Sequence, residues 1–186
     1  MAIRVWCPFF CSQFMRLYLL PLTFWMLGGI CSAGHPVRSL LEIRHEGLII
    51  QQWDNSCGAA ALATILRFYK RIPITEEETA RGMLRQTTPL RVRTRGGFSL
   101  LDMKAYLARI GFDSDGYNNM TLDDLADKTP VIVPLTTKGY HHFVVVRTVT
   151  RDGVDIADPS FGNYQLKKVQ FNARWTGIGF EVGSKR

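Results

Sequence analysis

The distribution of apolar residues changes at Pro130, and this change most constrains the fold of the 186-residue chain. Before Pro130, apolar residues recur at the spacing of a helix, most clearly over residues 57–70. After it, the short runs 131–135 and 143–146 are rich in β-branched residues, which is typical of strands. The turn sequence at 151–153 predicts a hairpin after the second run. Helices followed by antiparallel strands predict an α+β domain, in which N-terminal helices pack on a C-terminal antiparallel sheet.

Capping and turn residues predict where the other elements begin and end. Thr75 is followed by three glutamates, and this capping-box pattern predicts the start of a second helix. Ser99 predicts the start of a third helix, and Gly111 predicts its end. Shorter patterns predict a strand at 48–50, a helix at 121–127, and strands at 154–156, 164–171 and 177–182.

Residues 1–33 have the three parts of a secretory signal. They contain no acidic residue, carry two arginines, are mostly apolar from residue 17 to residue 30, and end in small residues. We therefore expect export to the periplasm and cleavage before Gly34, with an uncleaved anchor in the inner membrane as the alternative. The shorter segment that begins at Met15 fits the pattern better, which makes Met15 a candidate for the natural start.

The remaining chain has the size of one domain. Removal of residues 1–33 from the 186-residue chain leaves 153 residues, enough for a core that folds without disulfides. We expect a polar, irregular lead-in at 34–47 and a single domain at 48–186.

The formal net charge of the chain is +7, and arginines cluster between residues 81 and 95. Such a cluster can bind an anionic partner. However, no aromatic residues alternate with these arginines, and no nucleic-acid-binding motif accompanies them. We therefore expect a solvated basic loop here and no nucleic acid partner.

Cys57 is the only cysteine that follows the predicted signal segment. Exported proteins usually pair their cysteines in disulfides, so a single cysteine suggests a chemical role. Asn55 and Ser56 are typical N-cap residues, and the small residues after Cys57 favour a helix that starts there. A cysteine in the first turn of a helix lies at the positive end of the helix dipole, which favours the thiolate. The alternative is a small buried residue without a chemical role.

The second half of the chain offers a base for this cysteine. A nucleophilic cysteine needs a group that takes its proton. His141 and His142 stand at the start of the valine-rich run, whereas the other two histidines lie in the lead-in. Asp158 follows the next predicted strand, where an antiparallel hairpin would carry it back beside the histidine to fix its tautomer. The alternatives are a surface histidine and a turn-forming Asp-Pro pair.

These residues together carry a resemblance to a known family. Gln51 precedes the sequence Cys-Gly-Ala-Ala at residues 57–60. Two further motifs follow: Gly-Tyr-His-His-Phe-Val-Val at residues 139–145 and Ile-Ala-Asp-Pro at residues 156–159. The combination resembles the C39 family of papain-like cysteine peptidases over roughly residues 48–182. The resemblance implies a papain-like fold.

The resemblance also implies a role for each residue of the set. Cys57 would be the nucleophile, His142 the general base and acid, and Asp158 the residue that orients His142. Gln51 would supply the side-chain donor of the oxyanion hole, with the backbone amide of Cys57 as its partner. No cofactor and no metal is implied.

The form of the chain indicates which members of the family it resembles. Members fused to exporters cut leader peptides after a Gly-Gly pair, but this sequence shows no transporter segment and no Walker motif. It is more similar to the stand-alone, exported C39-like proteins associated with the secretion of bacterial functional amyloids.

We therefore predict an exported cysteine endopeptidase that hydrolyses a peptide bond in a polypeptide destined for secretion. Its partners would be that polypeptide, of secreted or amyloid type, and a secretion component of the inner or outer membrane. Two alternatives remain open from the sequence alone. One is a C39-like module that binds a secretion substrate without cutting it, and the other is an acyltransferase or amidase that uses the same three residues.

Overall fold

The computed structural model of the chain describes residues 37–137 and 139–186. The predicted signal peptide at 1–33 lies outside these described residues, as does the beginning of the lead-in. Within the described ranges, no helix is both long and apolar enough to cross a bilayer.

Helices dominate the first half of the described chain. Their bounds, in chain order, are α1 (Leu40–His45), α2 (Cys57–Thr64), α3 (Glu76–Leu84), α4 (Pro89–Arg95), α5 (Leu100–Arg109), α6 (Leu122–Lys128) and α7 (Lys168–Asn172). A π-helical segment at Ile65–Tyr69 continues α2, so the helix predicted over 57–70 is confirmed. Capping boxes begin α3 at Thr75, α5 at Ser99 and α6 at Thr121, which confirms the predicted starts of these helices.

The strands form one antiparallel sheet. Their bounds are β1 (Phe112–Tyr117), β2 (Val131–Thr137), β3 (Tyr140–Val149), β4 (Val154–Asp158), β5 (Gly162–Leu166) and β6 (Gly179–Lys185). The strand order is β1-β6-β2-β3-β4-β5, and every neighbouring pair is antiparallel. Helices and an antiparallel sheet in this arrangement confirm the predicted α+β class.

Helices cover both faces of the sheet. On one face, α2, α3 and α5 surround a core that includes Leu62 and Val145. On the other face, a second core includes Val144 of β3 together with Leu125 of α6 and Phe171 of α7. Successive residues of a strand point to opposite faces, so β3 contributes to both cores and is a central element of the fold.

Every residue of α2 is buried. All of its residues except Leu62 are small, and this allows the sheet, α3 and α5 to approach the helix closely. Gly58 lies against Phe143 at the beginning of β3. The first turn of α2 is therefore held next to the strand that carries the predicted base.

One predicted strand is wrong, and another is confirmed only over its first three residues. Residues 48–50 form no strand, because they lie beside a helix and a turn and have no partner strand among the described residues. The amide of Ile49 donates to the hydroxyl of Thr64 in α2. The amide of the next residue but one, Gln51, donates to the carbonyl of Pro159 in the turn after β4. The strand predicted over 164–171 ends at Leu166, and α7 follows.

The arginine-rich stretch is not a loop. Thr88 caps α4, Pro89 occupies its first turn, and Gly96 ends it with a positive φ of 78°. The arginines of α4 are exposed to solvent, as expected, whereas Val92 is buried. Only one of the seven residues of α4 is buried, so its sequence shows little helical periodicity. For this reason the sequence pattern predicted a loop.

Two further elements, α1 and β1, were not predicted. The lead-in contains α1, which a capping box of Ser39 and Glu42 begins. Strand β1 has the polar sequence Phe-Asp-Ser-Asp-Gly-Tyr and pairs with β6 at the edge of the sheet. Such a sequence has no apolar alternation, so its strand conformation depends on the pairing with β6.

We predict that Gly82→Ala destabilises the packing of α3 on α5. A Cβ atom at Gly82 would collide with the buried ring of Tyr106, so the free energy of unfolding should fall by about 1–3 kcal/mol in urea titrations. Gly116→Ala is the matched control, because a Cβ atom there meets no atom within 4 Å. Equal stability of the two variants would show that the α3–α5 contact tolerates the extra methyl group.

Candidate active site

Cys57 is the first residue of α2 and is only 4% exposed. Ser56 occupies the N-cap position, but its hydroxyl donates to the carbonyl of Trp53 at 2.6 Å and does not cap the helix. Asn55 has a positive φ of 66°, a conformation that asparagine tolerates better than most residues. The tight turn before α2 thus leaves the backbone amides of its first turn without a side-chain cap.

Glu76 holds the segment that leads to Cys57. Its carboxylate is 2% exposed and accepts the amide of Gln52 at 2.9 Å. Burial raises the pKa of Glu76, although the hydrogen-bond donors around the carboxylate oppose the rise. The sequence identified Glu76 only as part of a capping box, because its partner lies 24 residues earlier in the chain.

His142 and Asp158 form a buried pair. The imidazole Nε2 of His142 donates to Oδ1 of Asp158 at 2.7 Å, and the two residues are 8% and 2% exposed. Cys57 lies close enough to the same imidazole to raise its pKa. Since Nε2 faces the carboxylate, Nδ1 is the ring nitrogen left for the thiol. The structure therefore brings together Cys57, His142 and Asp158.

Asp158 is a turn residue and also the partner of His142. Its Oδ1 accepts the amides of Ser160 at 2.8 Å and Phe161 at 3.2 Å, and its Oδ2 accepts the hydroxyl of Tyr164 at 2.9 Å. Burial alone would raise the pKa of Asp158, but the bond and charge of His142 and these other donors hold it below its usual value. The carboxylate is therefore ionised and fixed in position.

The same contacts keep His142 protonated. Burial opposes the charged imidazolium, but the hydrogen bonds and negative charges of Asp158 and Cys57 outweigh burial and raise the pKa of His142 to about 9. At neutral pH the site thus favours an imidazolium beside the cysteine sulfur. This arrangement can hold a thiolate ready for nucleophilic attack.

Gln51 lies in the same network. Its Oε1 accepts the hydroxyl of Ser160 at 2.9 Å, and its Nε2 donates to the carbonyl of Trp53 at 3.3 Å. A carbonyl can only accept, so the amide orientation follows from these two partners. An amide nitrogen carries two hydrogens, and the second remains for another acceptor.

Three residues that lie close to the site residues in sequence have side chains outside the His142–Asp158 network. Gln52 is exposed, and only its backbone amide is held, by Glu76. His141 is exposed, and its Nδ1 lies 3.1 Å from the hydroxyl of Thr136. Asn163, another amide near Asp158 in sequence, donates to the carbonyl of Glu46 at 2.8 Å. None of these contacts joins the side chain of Gln52, His141 or Asn163 to the His142–Asp158 pair.

Two cavities adjoin the site. The Cys57 cavity, of about 360 Å³, is lined by residues that include Cys57, Gly97, Phe98, His141 and Phe143. The His142 cavity, of about 340 Å³, is lined by residues that include Leu135, Tyr140, His142, Asp158, Phe161 and Arg174. Across the described ranges, no group of three or more His, Cys, Asp or Glu residues could hold a metal ion.

We predict that His142 titrates near pH 9 and that Asp158→Asn lowers its pKa. The carboxylate stabilises the imidazolium, so its removal favours the neutral ring. Nitrogen-15 spectra of labelled histidine over pH 5–10 measure both values. Asp155→Asn is the matched control, because that carboxylate lies on β4 but is bonded to Gln165. A pKa of His142 that stays the same in Asp158→Asn would contradict the account.

Comparisons with known proteins agree with this geometry. The family model described as "Peptidase C39 family" matches residues 45–185. The chain is 45% identical over 146 residues to a Pseudomonas fluorescens protein named "Probable functional amyloid protease FapD". It is 40% identical over 146 residues to the protein of the same name from Pseudomonas aeruginosa. Each of these matches covers 78% of this chain and 64% of the relative, so the chain spans less than two thirds of the length of both.

A solved structure also shares the fold. The crystal structure of a double glycine motif protease from an AMS/PCAT transporter, in complex with the leader peptide, superimposes with a TM-score of 0.60 at 24% identity. The match covers 73% of this chain and 89% of that chain. The α+β arrangement around Cys57, His142 and Asp158 is thus a papain-like peptidase fold, and the chain belongs to the peptidase C39 family.

Proposed function

We propose that the chain is an exported cysteine endopeptidase that hydrolyses a peptide bond in a polypeptide destined for secretion. The observation that carries the proposal is the set of Cys57, His142 and Asp158 in a C39 fold. Cys57 lies at the start of a buried helix, and His142 is bonded to Asp158. The names of the two Pseudomonas relatives support a substrate that belongs to a functional amyloid system.

The first half of the reaction forms a thioester. The reaction begins from the ion pair in which Nδ1 of His142 already holds the proton of Cys57, and the thiolate attacks the scissile carbonyl to form the S–C bond. The side-chain amide of Gln51 and the backbone amide of Cys57 donate to the resulting oxyanion. When the oxyanion collapses, the C–N bond breaks and His142 gives the proton to the leaving amine.

The second half of the reaction releases the other product. A water molecule gives a proton to His142 and attacks the thioester carbonyl, and the same two donors again hold the oxyanion. Collapse breaks the C–S bond, releases the new carboxyl terminus and returns the proton to the Cys57–His142 pair. Asp158 acts throughout by holding the imidazole and stabilising its charged form.

We place this reaction in the periplasm, because residues 1–33 have the pattern of a secretory signal. The partner would then be a polypeptide on its way out of the cell, delivered by a secretion component of the inner or outer membrane. An intact set of cysteine, histidine, aspartate and oxyanion-hole donor favours the peptidase over a module that binds without cutting.

The proposal is tested by incubating the protein with a proteome-derived peptide library and identifying new termini by mass spectrometry. We expect new amino termini with the wild type and none with Cys57→Ala, while the circular dichroism spectra of the two agree. Peptides that bind but stay intact would instead identify a binding module. Masses increased by a transferred group would identify a transferase.

We predict that Gln51→Ala lowers kcat by about 10²–10³-fold and leaves KM nearly unchanged, because the amide acts on charge that develops only in the transition state. Gln52→Ala is the matched control, since its exposed side chain is outside the network. Kinetics on a peptide cleaved in the library experiment measure both variants. A larger loss in Gln52→Ala than in Gln51→Ala would reverse the assignment of the oxyanion donor.

A further inference from the structure

The two cavities lie on opposite faces of β3, because His141 and Phe143 line one and Tyr140 and His142 line the other. Cys57 lines one of them, together with Gly97 and Phe143. The other contains His142 and Asp158 in its wall and does not include Cys57. A peptide whose scissile bond lies between the sulfur and the imidazole would therefore have one cavity on each side of that bond.

The chemistry decides which part of the peptide lies on which side. The acyl segment becomes bonded to the sulfur of Cys57, so it stays beside the Cys57 cavity. The leaving amine must receive its proton from His142, so this nitrogen has to come within hydrogen-bonding distance of the imidazole. The residues that follow the scissile bond are therefore directed to the His142 cavity.

Most of the wall of the His142 cavity is apolar. Leu135 is buried, whereas Tyr140 and Phe161 are 49% and 72% exposed. Phe161 belongs to the turn whose amides bind Asp158, so the position of its backbone is fixed by the site itself. Large exposed aromatic residues around a concave site favour the binding of a large apolar side chain.

Arg174 completes this wall. Its backbone is fixed, because its amide donates to the carbonyl of Phe171 at 2.9 Å and its carbonyl accepts the amide of Thr136 at 2.8 Å. The ion pairs found within 37–137 and 139–186 do not include Arg174. Asp158, in the same wall, is already bonded to His142 and to the donors of its own turn. Arg174 can therefore pair with an acidic group of a bound peptide.

We infer that the His142 cavity binds the residues that follow the scissile bond, with a large apolar side chain against Tyr140 and Phe161 and an acidic side chain beside Arg174. The inference rests on the proposed peptidase function, because proton transfer to the leaving amine sets the direction of the peptide. It assigns a substrate class by sequence: the segment released as the new amino terminus begins with apolar and acidic residues.

The test uses octapeptides with a free amino terminus, which represent the released segment. They begin with Leu-Glu, Leu-Lys or Ser-Glu and are otherwise identical. Their dissociation constants are measured by calorimetry on the full chain carrying Cys57→Ala, so that no turnover interferes. We expect the Leu-Glu peptide to bind about fivefold more tightly than the Leu-Lys peptide, as for a single partly exposed ion pair. We expect it to bind about tenfold more tightly than the Ser-Glu peptide.

The Arg174 variants decide the charge assignment. In the same background, Arg174→Gln should abolish the preference for Glu over Lys, and Arg174→Lys should keep it. Arg151→Gln, which removes an exposed arginine from the β3–β4 turn, should also keep it. A Glu preference that survives Arg174→Gln, or the absence of any preference among the three peptides, would overturn the inference.

The inference and the proposed function fail in distinguishable ways. If the wild type cleaves library peptides without preference for the residues after the cut, the peptidase stands and the assigned cavity is wrong. If the octapeptides bind with the expected preference but no library peptide is cleaved, the cavity stands and the peptidase function is wrong.

Discussion

The hydrogen bond between His142 and Asp158, buried and 2.7 Å long, is the interaction on which the site depends. The antiparallel pairing of β3 and β4 brings the two residues to the same end of the sheet. A buried carboxylate is costly unless its oxygens are all bonded, and here the turn after β4 and Tyr164 supply the remaining donors. The local fold thus stabilises the ionised carboxylate that in turn keeps His142 charged.

The same turn also binds Gln51, the proposed oxyanion donor. Ser160 uses its amide on Asp158 and its hydroxyl on Gln51, and the carbonyl of Pro159 accepts the amide of Gln51. One short segment, residues 158–160, therefore positions both His142 and Gln51. On the opposite side, Glu76 of α3 holds the amide of Gln52 and so fixes the segment that enters α2. Rigid placement of this kind keeps donors aimed at the position of the developing charge.

Local signals in the sequence predicted the elements that carry the site. Capping residues located the starts of α3, α5 and α6, and β-branched runs located β2 and β3. Cys57 and His142 were selected at a helix start and a strand start, and Asp158 was selected after a strand. The resemblance to the C39 family added Gln51 and chose His142 over His141. The structure brings these four residues into one network. The N-cap role of Ser56 was expected from its residue type, but its hydroxyl bonds to Trp53 instead.

What the sequence did not predict depends on contacts between distant residues. Glu76 looked like a solvated acid of a capping box, and only the folded chain brings the amide of Gln52 to it. Ser160 joins Gln51 across 109 residues, a link that no local pattern reveals. Strand β1 is polar and is a strand because β6 pairs with it. Each of these features depends on tertiary contacts, which can outweigh the local preference of a segment for helix, strand or loop.

The central claim is that the His142–Asp158 pair stabilises a reactive thiolate at Cys57. The most direct measurement is the rate of alkylation of Cys57 by iodoacetamide at pH 7, with the modified residue located by mass spectrometry. The account predicts that Cys57 of the wild type reacts faster than a free cysteine peptide and faster than Cys57 of His142→Ala, because the imidazolium stabilises the thiolate. Equal rates in the wild type, the His142→Ala variant and the free peptide would contradict it.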